Sequence, residues 1–178
     1  MRTRRGYGGP PAGPLYADPV LRIEQETYDA IVAHAKRDHP DEACGVVAGP
    51  EGSDRPERFV AMVNAASSPT FYEFDPTDLL RLYREMDDRD EEPVVIYHSH
   101  TATEAYPSRT DSGLAMEPGA HYVLVSTREH GNSPGPVEFR SYRIVDGVVT
   151  EEEVAVVAGL DDEPAKPAAT DEEPRSQD

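Results

Sequence analysis

Cysteine is almost absent from this chain of 178 residues. The single thiol, Cys44, has no partner for an internal disulfide and rules out a metal cage built from cysteine alone. Basic residues are also scarce: 17 Lys+Arg stand against 35 Asp+Glu, a formal net charge of −18. A body that acidic repels a phosphate backbone, so a nucleic-acid partner is not expected. No apolar run approaches the roughly 20 residues that a membrane-spanning helix needs. Arg2, Arg4 and Arg5 are not followed by the apolar stretch of a secretory signal. These absences predict a cytoplasmic protein with a modest core and no membrane or nucleic-acid role.

What is present is unevenly spread. Gly and Pro crowd residues 1–19 without any hydrophobic period, which predicts a disordered leader. Residues 159–178 are acidic and Pro/Ala-rich and predict a disordered, solvated tail. One foldable domain remains, over 20–158, with no internal repeat. Its oligomeric state is not legible.

Within that domain, helical spacing predicts a helix over 25–37 with Tyr28, Ile31, Val32 and Ala35 on one side, ended by Pro40. Short apolar runs predict strands over 44–48, 58–64 and 71–74. Asp75-Pro76 opens a second helix, with proline near the first turn where its missing N–H costs nothing; it should bury Leu79, Leu82, Tyr83 and Met86. An apolar strand over 94–97 leads into His98, and a short helix is expected over 108–117. Strands over 121–126, 137–145 and 148–157 complete the domain, the last two joined by Asp146-Gly147, a type I′ hairpin signal. The fold class is therefore α/β (α+β), a mixed sheet with helices on its faces.

The stretch that carries chemistry is His98-Ser99-His100, then seven residues, then Ser108-Arg109-Thr110-Asp111. Side chains at i and i+2 of a strand point the same way, so both imidazoles share a face. Two imidazoles and a carboxylate from the next segment are a ligand set for zinc, with a fourth position left for water. Zinc lowers the pKa of bound water from 15.7 toward about 7. A carboxylate that is not a ligand must then move the proton, and Glu42, at the entry to a buried strand, is the candidate.

Other readings of the same residues stand beside this one. Ser108-x-x-Asp111 also reads as a helix N-terminus, with Ser108 as cap and Asp111 offsetting the dipole. Glu42 next to Asp41 also reads as solvated loop charge. Cys44 reads as a small buried hydrophobe, and a thiol peptidase built on Cys44 and a histidine is the less favoured alternative. His34, His39, His121 and His130 show no partner spacing and receive no role. A zinc nucleobase deaminase needs His-x-Glu with Pro-Cys-x-x-Cys, which one cysteine excludes.

Taken jointly, His-Ser-His-x7-Ser-x-x-Asp and the upstream Pro40-x-Glu42-x-Cys44-Gly45 resemble the JAMM (Mov34/MPN/PAD-1) zinc metallopeptidases over about 20–157. The resemblance implies the MPN fold, a twisted mixed sheet flanked by helices and related to cytidine deaminases. It also implies Zn2+ held by His98, His100 and Asp111, with Glu42 as general acid/base and Ser108 stabilising the oxyanion. The wording of 39–46, 68–72 and 96–111 is similar to the Mec-type branch, which hydrolyses the adduct of the sulfur carrier CysO with cysteine. That branch implies a ubiquitin-like partner with a Gly-Gly C-terminus and a role in cysteine biosynthesis. The implied alternatives are a JAMM peptidase trimming another ubiquitin-like carrier, or a catalytically silent MPN scaffold. The segment 64–74 is expected to offer a strand edge to the extended Gly-Gly tail.

Overall fold

The structure is a computed structural model that describes residues 20–161. The leader expected over 1–19, and the tail beyond residue 161, lie outside the described residues. Ten elements follow in order: β1 (Val20–Glu24), α1 (Gln25–Asp38), β2 (Cys44–Pro50), β3 (Arg58–Met62), α2 (Pro76–Asp88), β4 (Glu91–His100), α3 (Arg109–Leu114), β5 (His121–Ser126), β6 (Glu138–Val145) and β7 (Val148–Val157). The strands form one seven-stranded sheet in the order β1-β7-β6-β5-β4-β2-β3. It is mixed as expected: β1 pairs with β7 and β4 with β5 in parallel, and the remaining pairs are antiparallel.

Strand alternation divides the core between the two faces. On one face Val47, Val95, Tyr97, Val123 and Val125 pack with Ile31 and Ala35 of α1. On the other, Cys44, Val46 and Ala48 pack with Leu82 and Met86 of α2, and Ile96, Tyr122 and Leu124 form a neighbouring cluster. Burying one such aliphatic side chain contributes roughly 1.5–3 kcal/mol. The α1 face also holds His34, only 2% exposed, with Nδ1 2.6 Å from Tyr97 Oη and Nε2 2.9 Å from Asp38 Oδ2. Gly45 is required here: a Cβ at that position would stand 2.3 Å from Tyr97 Oη.

Local chemistry sets most boundaries. Asp75 caps α2 by accepting hydrogen bonds from the backbone N–H of Thr77 and Asp78, and Pro76 occupies the first turn. Asp146 (φ 50°) and Gly147 (φ 76°) make the expected tight turn between β6 and β7. Among the described residues, no helix is long and apolar enough to cross a membrane.

Four expectations are corrected. β1 was not expected; its Leu21 and Ile23 alternate inward, but a lone run of five residues becomes a strand only by pairing with β7, more than a hundred positions away. Residues 71–74 are not a strand. The chain doubles back after β3, through Ser67 at φ 43°, and only an isolated bridge joins Asn64 to Phe74. The helix at Ser108 is shorter than expected, ending at Leu114. Tyr83 is 41% exposed rather than buried, because its hydroxyl reaches Glu117 Oε1 at 2.7 Å on the surface.

Candidate metal centre

β4 runs to His100, three residues further than the apolar run that announces it, because β2 pairs with it as far as His98 and β5 as far as His100. His98 lies opposite Cys44 of β2 and Leu124 of β5, and His100 opposite Ser126. Both imidazoles therefore leave the same face at the strand's end, and both are buried. The loop after β4 returns to α3, whose third residue is Asp111.

These three side chains converge. His98 Nε2 and His100 Nε2 are 3.2 Å apart, Asp111 Oδ1 is 3.4 Å from His98 Nε2, and Asp111 Oδ2 is 3.4 Å from His100 Nε2. Among the described residues they form the one group of His, Cys, Asp and Glu side chains gathered closely enough to hold a metal ion. Donors on a tetrahedral zinc, with bonds of 2.0–2.1 Å, stand about 3.4 Å from one another. The observed separations match that spacing. The donor atoms also suit a cation: His100 Nδ1 donates its hydrogen to the Glu104 carbonyl at 2.8 Å, which leaves Nε2 with its lone pair facing the group.

The electrostatics of His98 and Asp111 agree, while for His100 burial is outweighed by Asp111 and the Glu104 carbonyl, which raise it. Burial holds His98 below the ordinary histidine range, so its ring is neutral, the form a metal requires. Burial works against ionisation of Asp111, but hydrogen bonds with His100 and His98 and from the Ser108 backbone N–H outweigh it. They hold the carboxyl well below the usual carboxylate range. Glu42 is 5% exposed. Burial pushes its carboxyl up to about 7, with His100 pulling it down and Asp111 pushing it further up, so two members of the cluster act on its charge. The reading of Glu42 as solvated loop charge does not hold.

Ser108 is exposed and caps α3: its Oγ accepts the Asp111 N–H at 3.1 Å, while Asp111 Oδ2 accepts the Ser108 N–H at 2.6 Å. Cys44 is fully buried, and burial, with Asp38 and Glu42 adding to it, pushes its thiol up to about 12. A protonated thiol in an apolar cluster is no nucleophile, which removes the thiol-peptidase alternative.

Sequence reasoning missed two side chains here. Tyr72 stacks on His98, ring centroids 4.5 Å apart at 26°. Asn64, 7% exposed, bonds to the Glu42 carbonyl. Neither has a spacing signal, since both come from a loop that only the fold brings to β4. Beside them runs an open groove of about 570 Å³ walled by Phe71, Tyr72 and Phe74 from that loop, Tyr83 from α2, and Leu114 and Met116 from and after α3.

His121, given no role from the sequence, sits fully buried at the opposite end of the sheet. It lies against Glu152 through Nδ1 and 2.7 Å from Asp54 through Nε2, with Arg143 bonded to Glu152 at 3.2 Å.

Residues 24–145 match the family described as prokaryotic homologs of the JAB domain. Over 138 residues the chain is 67% identical to the CysO-cysteine peptidase of Mycobacterium tuberculosis, covering 78% of this chain and 92% of that protein. It is 31% identical over 111 residues to a desampylase of Haloferax volcanii, covering 60% of this chain and 80% of the relative. The fold superposes on the solution structure of a protein from Desulfitobacterium hafniense with a TM-score of 0.67 at 29% identity, covering 80% of this chain and 96% of that one. With the family matched over residues 24–145 and a peptidase relative 67% identical over most of its length, the chain belongs to the prokaryotic JAB-domain family, as a peptidase of the JAMM type.

Proposed function

We propose that this protein is a zinc-dependent peptidase that hydrolyses the bond between the Gly-Gly C-terminus of a CysO-like, ubiquitin-like sulfur carrier and a cysteine. The released cysteine makes the reaction a step of cysteine biosynthesis in the cytoplasm. The observation that carries this reading is the convergence of His98, His100 and Asp111 at 3.2–3.4 Å, in a chain 67% identical to a CysO-cysteine peptidase.

His98, His100 and Asp111 are the residues that would hold the ion. When bound, zinc supplies Lewis acidity toward the scissile carbonyl and toward water. Glu42 is the general acid/base. Its buried carboxyl, pushed up to about 7, accepts a proton from water and returns it to the departing cysteine amine. Ser108 Oγ accepts the Asp111 N–H, so its own hydrogen remains to donate to the carbonyl oxygen as negative charge develops there. The glycines of the carrier tail let its backbone approach this crowded centre closely. The 64–74 loop, which walls the adjoining groove, is the surface along which that tail lies.

The likeness to a desampylase favours a second reading, removal of other groups from the C-terminus of a different ubiquitin-like carrier. One experiment separates the two. The purified protein, loaded with zinc, is incubated with a carrier–cysteine adduct and with carriers extended by other residues, and the products are weighed by mass spectrometry. Release of cysteine, abolished by a chelator, is the expected result. Cleavage of the extended carriers alone establishes the second reading, and no cleavage of either makes the domain a silent scaffold.

A further inference from the structure

Asn64 lies just beyond β3, and its carboxamide uses its full hydrogen-bonding capacity on backbone groups. Nδ2 donates to the Glu42 carbonyl at 3.0 Å and to the Phe71 carbonyl at 3.0 Å. Oδ1 accepts the N–H of Ala66 at 3.0 Å and of Glu73 at 3.1 Å. Two carbonyls on one side of the amide and two N–H groups on the other fix its orientation. Phe71 and Glu73 flank Tyr72, so one side chain clamps the backbone on both sides of the ring that stacks on His98. The same loop is tied again to each part of the centre. Glu42 N–H donates to the Ser68 carbonyl at 2.9 Å, and Thr101, next to His100, donates through Oγ1 to the Pro69 carbonyl at 2.9 Å.

We propose that Asn64 is a positioning residue whose carboxamide sets the Glu42 backbone and the Tyr72–His98 stack relative to one another. This rests on the peptidase reading above and extends it to a residue that touches neither ion nor substrate. A group that moves protons must stand at a fixed distance from the ligand shell it serves, and misplacement by about 1 Å costs on the order of 10²-fold in rate. Glu42 arrives from the turn after α1 and His98 from β4, and Asn64 links them indirectly, bonding the Glu42 carbonyl and holding the backbone that carries Tyr72 against His98. An apolar side chain of similar size would orphan all four backbone groups, so packing alone does not replace it.

Two measurements test the proposal, and the first needs no substrate. Zinc affinity, read by competition with a chromophoric chelator, should fall about 10-fold to 100-fold in Asn64→Ala, the usual effect of losing an outer-shell partner. It should fall comparably in Tyr72→Ala, and the double variant should lose no more than the worse single one. In the second, kcat for the carrier–cysteine adduct should drop by about 10²-fold in Asn64→Ala with KM within about twofold. Introduced into Glu42→Gln, the same change should add less than about twofold, because the group it positions is already gone. A residue that only supports the fold would multiply its full loss onto Glu42→Gln. That result, or an unchanged zinc affinity, overturns the proposal. If the wild-type protein binds zinc but does not cleave the adduct, the substrate reading fails and the zinc measurement alone decides the role of Asn64. Should Asn64→Ala melt below the assay temperature, Asn64→Ser, which leaves a hydroxyl and room for water, makes the same comparisons.

Discussion

Asp111 and His100 meet through an oxygen that is already in use: Asp111 Oδ2 lies 3.4 Å from His100 Nε2 while accepting the Ser108 N–H at 2.6 Å. The helix cap and the His98–His100–Asp111 cluster therefore share one atom, and the capping reading of Ser108-x-x-Asp111 leaves room for the proposed ligand role of Asp111. α3 has only six residues and no buried side chain, so this capping box is what holds Asp111 in place.

That shared atom makes Asp111 separable by substitution. Asp111→Asn keeps an oxygen for the Ser108 N–H and loses the charge, whereas Asp111→Ala loses both. Zinc content, measured by atomic emission after dialysis, should fall to near zero in both variants. Asp111→Ala should in addition be less stable than Asp111→Asn by about 1 kcal/mol in urea unfolding, the usual worth of a cap. Full zinc occupancy in either would remove Asp111 from the ligand set.

Glu42 tests the chemistry apart from the metal. Glu42→Gln keeps the size and the buried position, and should retain one zinc per chain. Its turnover of the carrier–cysteine adduct should drop by about 10²–10⁴-fold, the usual worth of general acid–base catalysis. A loss below tenfold would mean that another group moves the proton.

Cys44 should be chemically silent. With the thiol fully buried and pushed up to about 12, the folded protein should not react with a thiol-specific disulfide reagent at pH 8, and should react once unfolded. Cys44→Ser should cleave the adduct at a rate within a few fold of wild type. It should lose roughly 1–3 kcal/mol of stability, because a hydroxyl replaces the thiol among Val46, Ala48 and Met62. Activity lost in a folded, zinc-loaded Cys44→Ser would reopen the thiol mechanism.

The His121 cluster gives the fold a pH window. Burial opposes a charge on His121, but its bonds to Asp54 and Glu152 raise its pKa overall. That stabilisation is complete below the unfolded histidine value of about 6.5 and disappears as pH rises through the higher folded value. Glu152 and Asp54 are both lowered. For Glu152, bonds to His121 and Ser141 outweigh burial; for Asp54, the bond to His121 is the main cause. Their contribution is present above about pH 4.3 and lost on acidification. The difference in Tm between wild type and His121→Gln should be largest near pH 5–6 and shrink toward either side. A difference that grows steadily to pH 9 would contradict a charged His121.

Much of the centre was legible because its signals are local. His98 and His100 share a face by strand alternation alone, Asp111 follows from a capping pattern four residues long, and Asp146-Gly147 announces its own turn. Tyr72, Asn64 and His121 were not legible for the opposite reason. Each acts on residues 22 to 67 positions away, and no spacing rule marks such pairs. β1 belongs with them, since five residues with three apolar side chains, two of them buried, carry too weak a period without β7 beside them.

The amino-acid order by itself determined the donor types, their alternation and the excess of acids, because those properties depend on neighbours a few bonds apart. Tertiary structure alone decided that Glu42 is buried where His100 and Asp111 shift its carboxyl, and that Asn64 joins its backbone to the loop carrying Tyr72. Burial and distance between remote segments come from the packing of the whole sheet, which no single stretch of chain encodes.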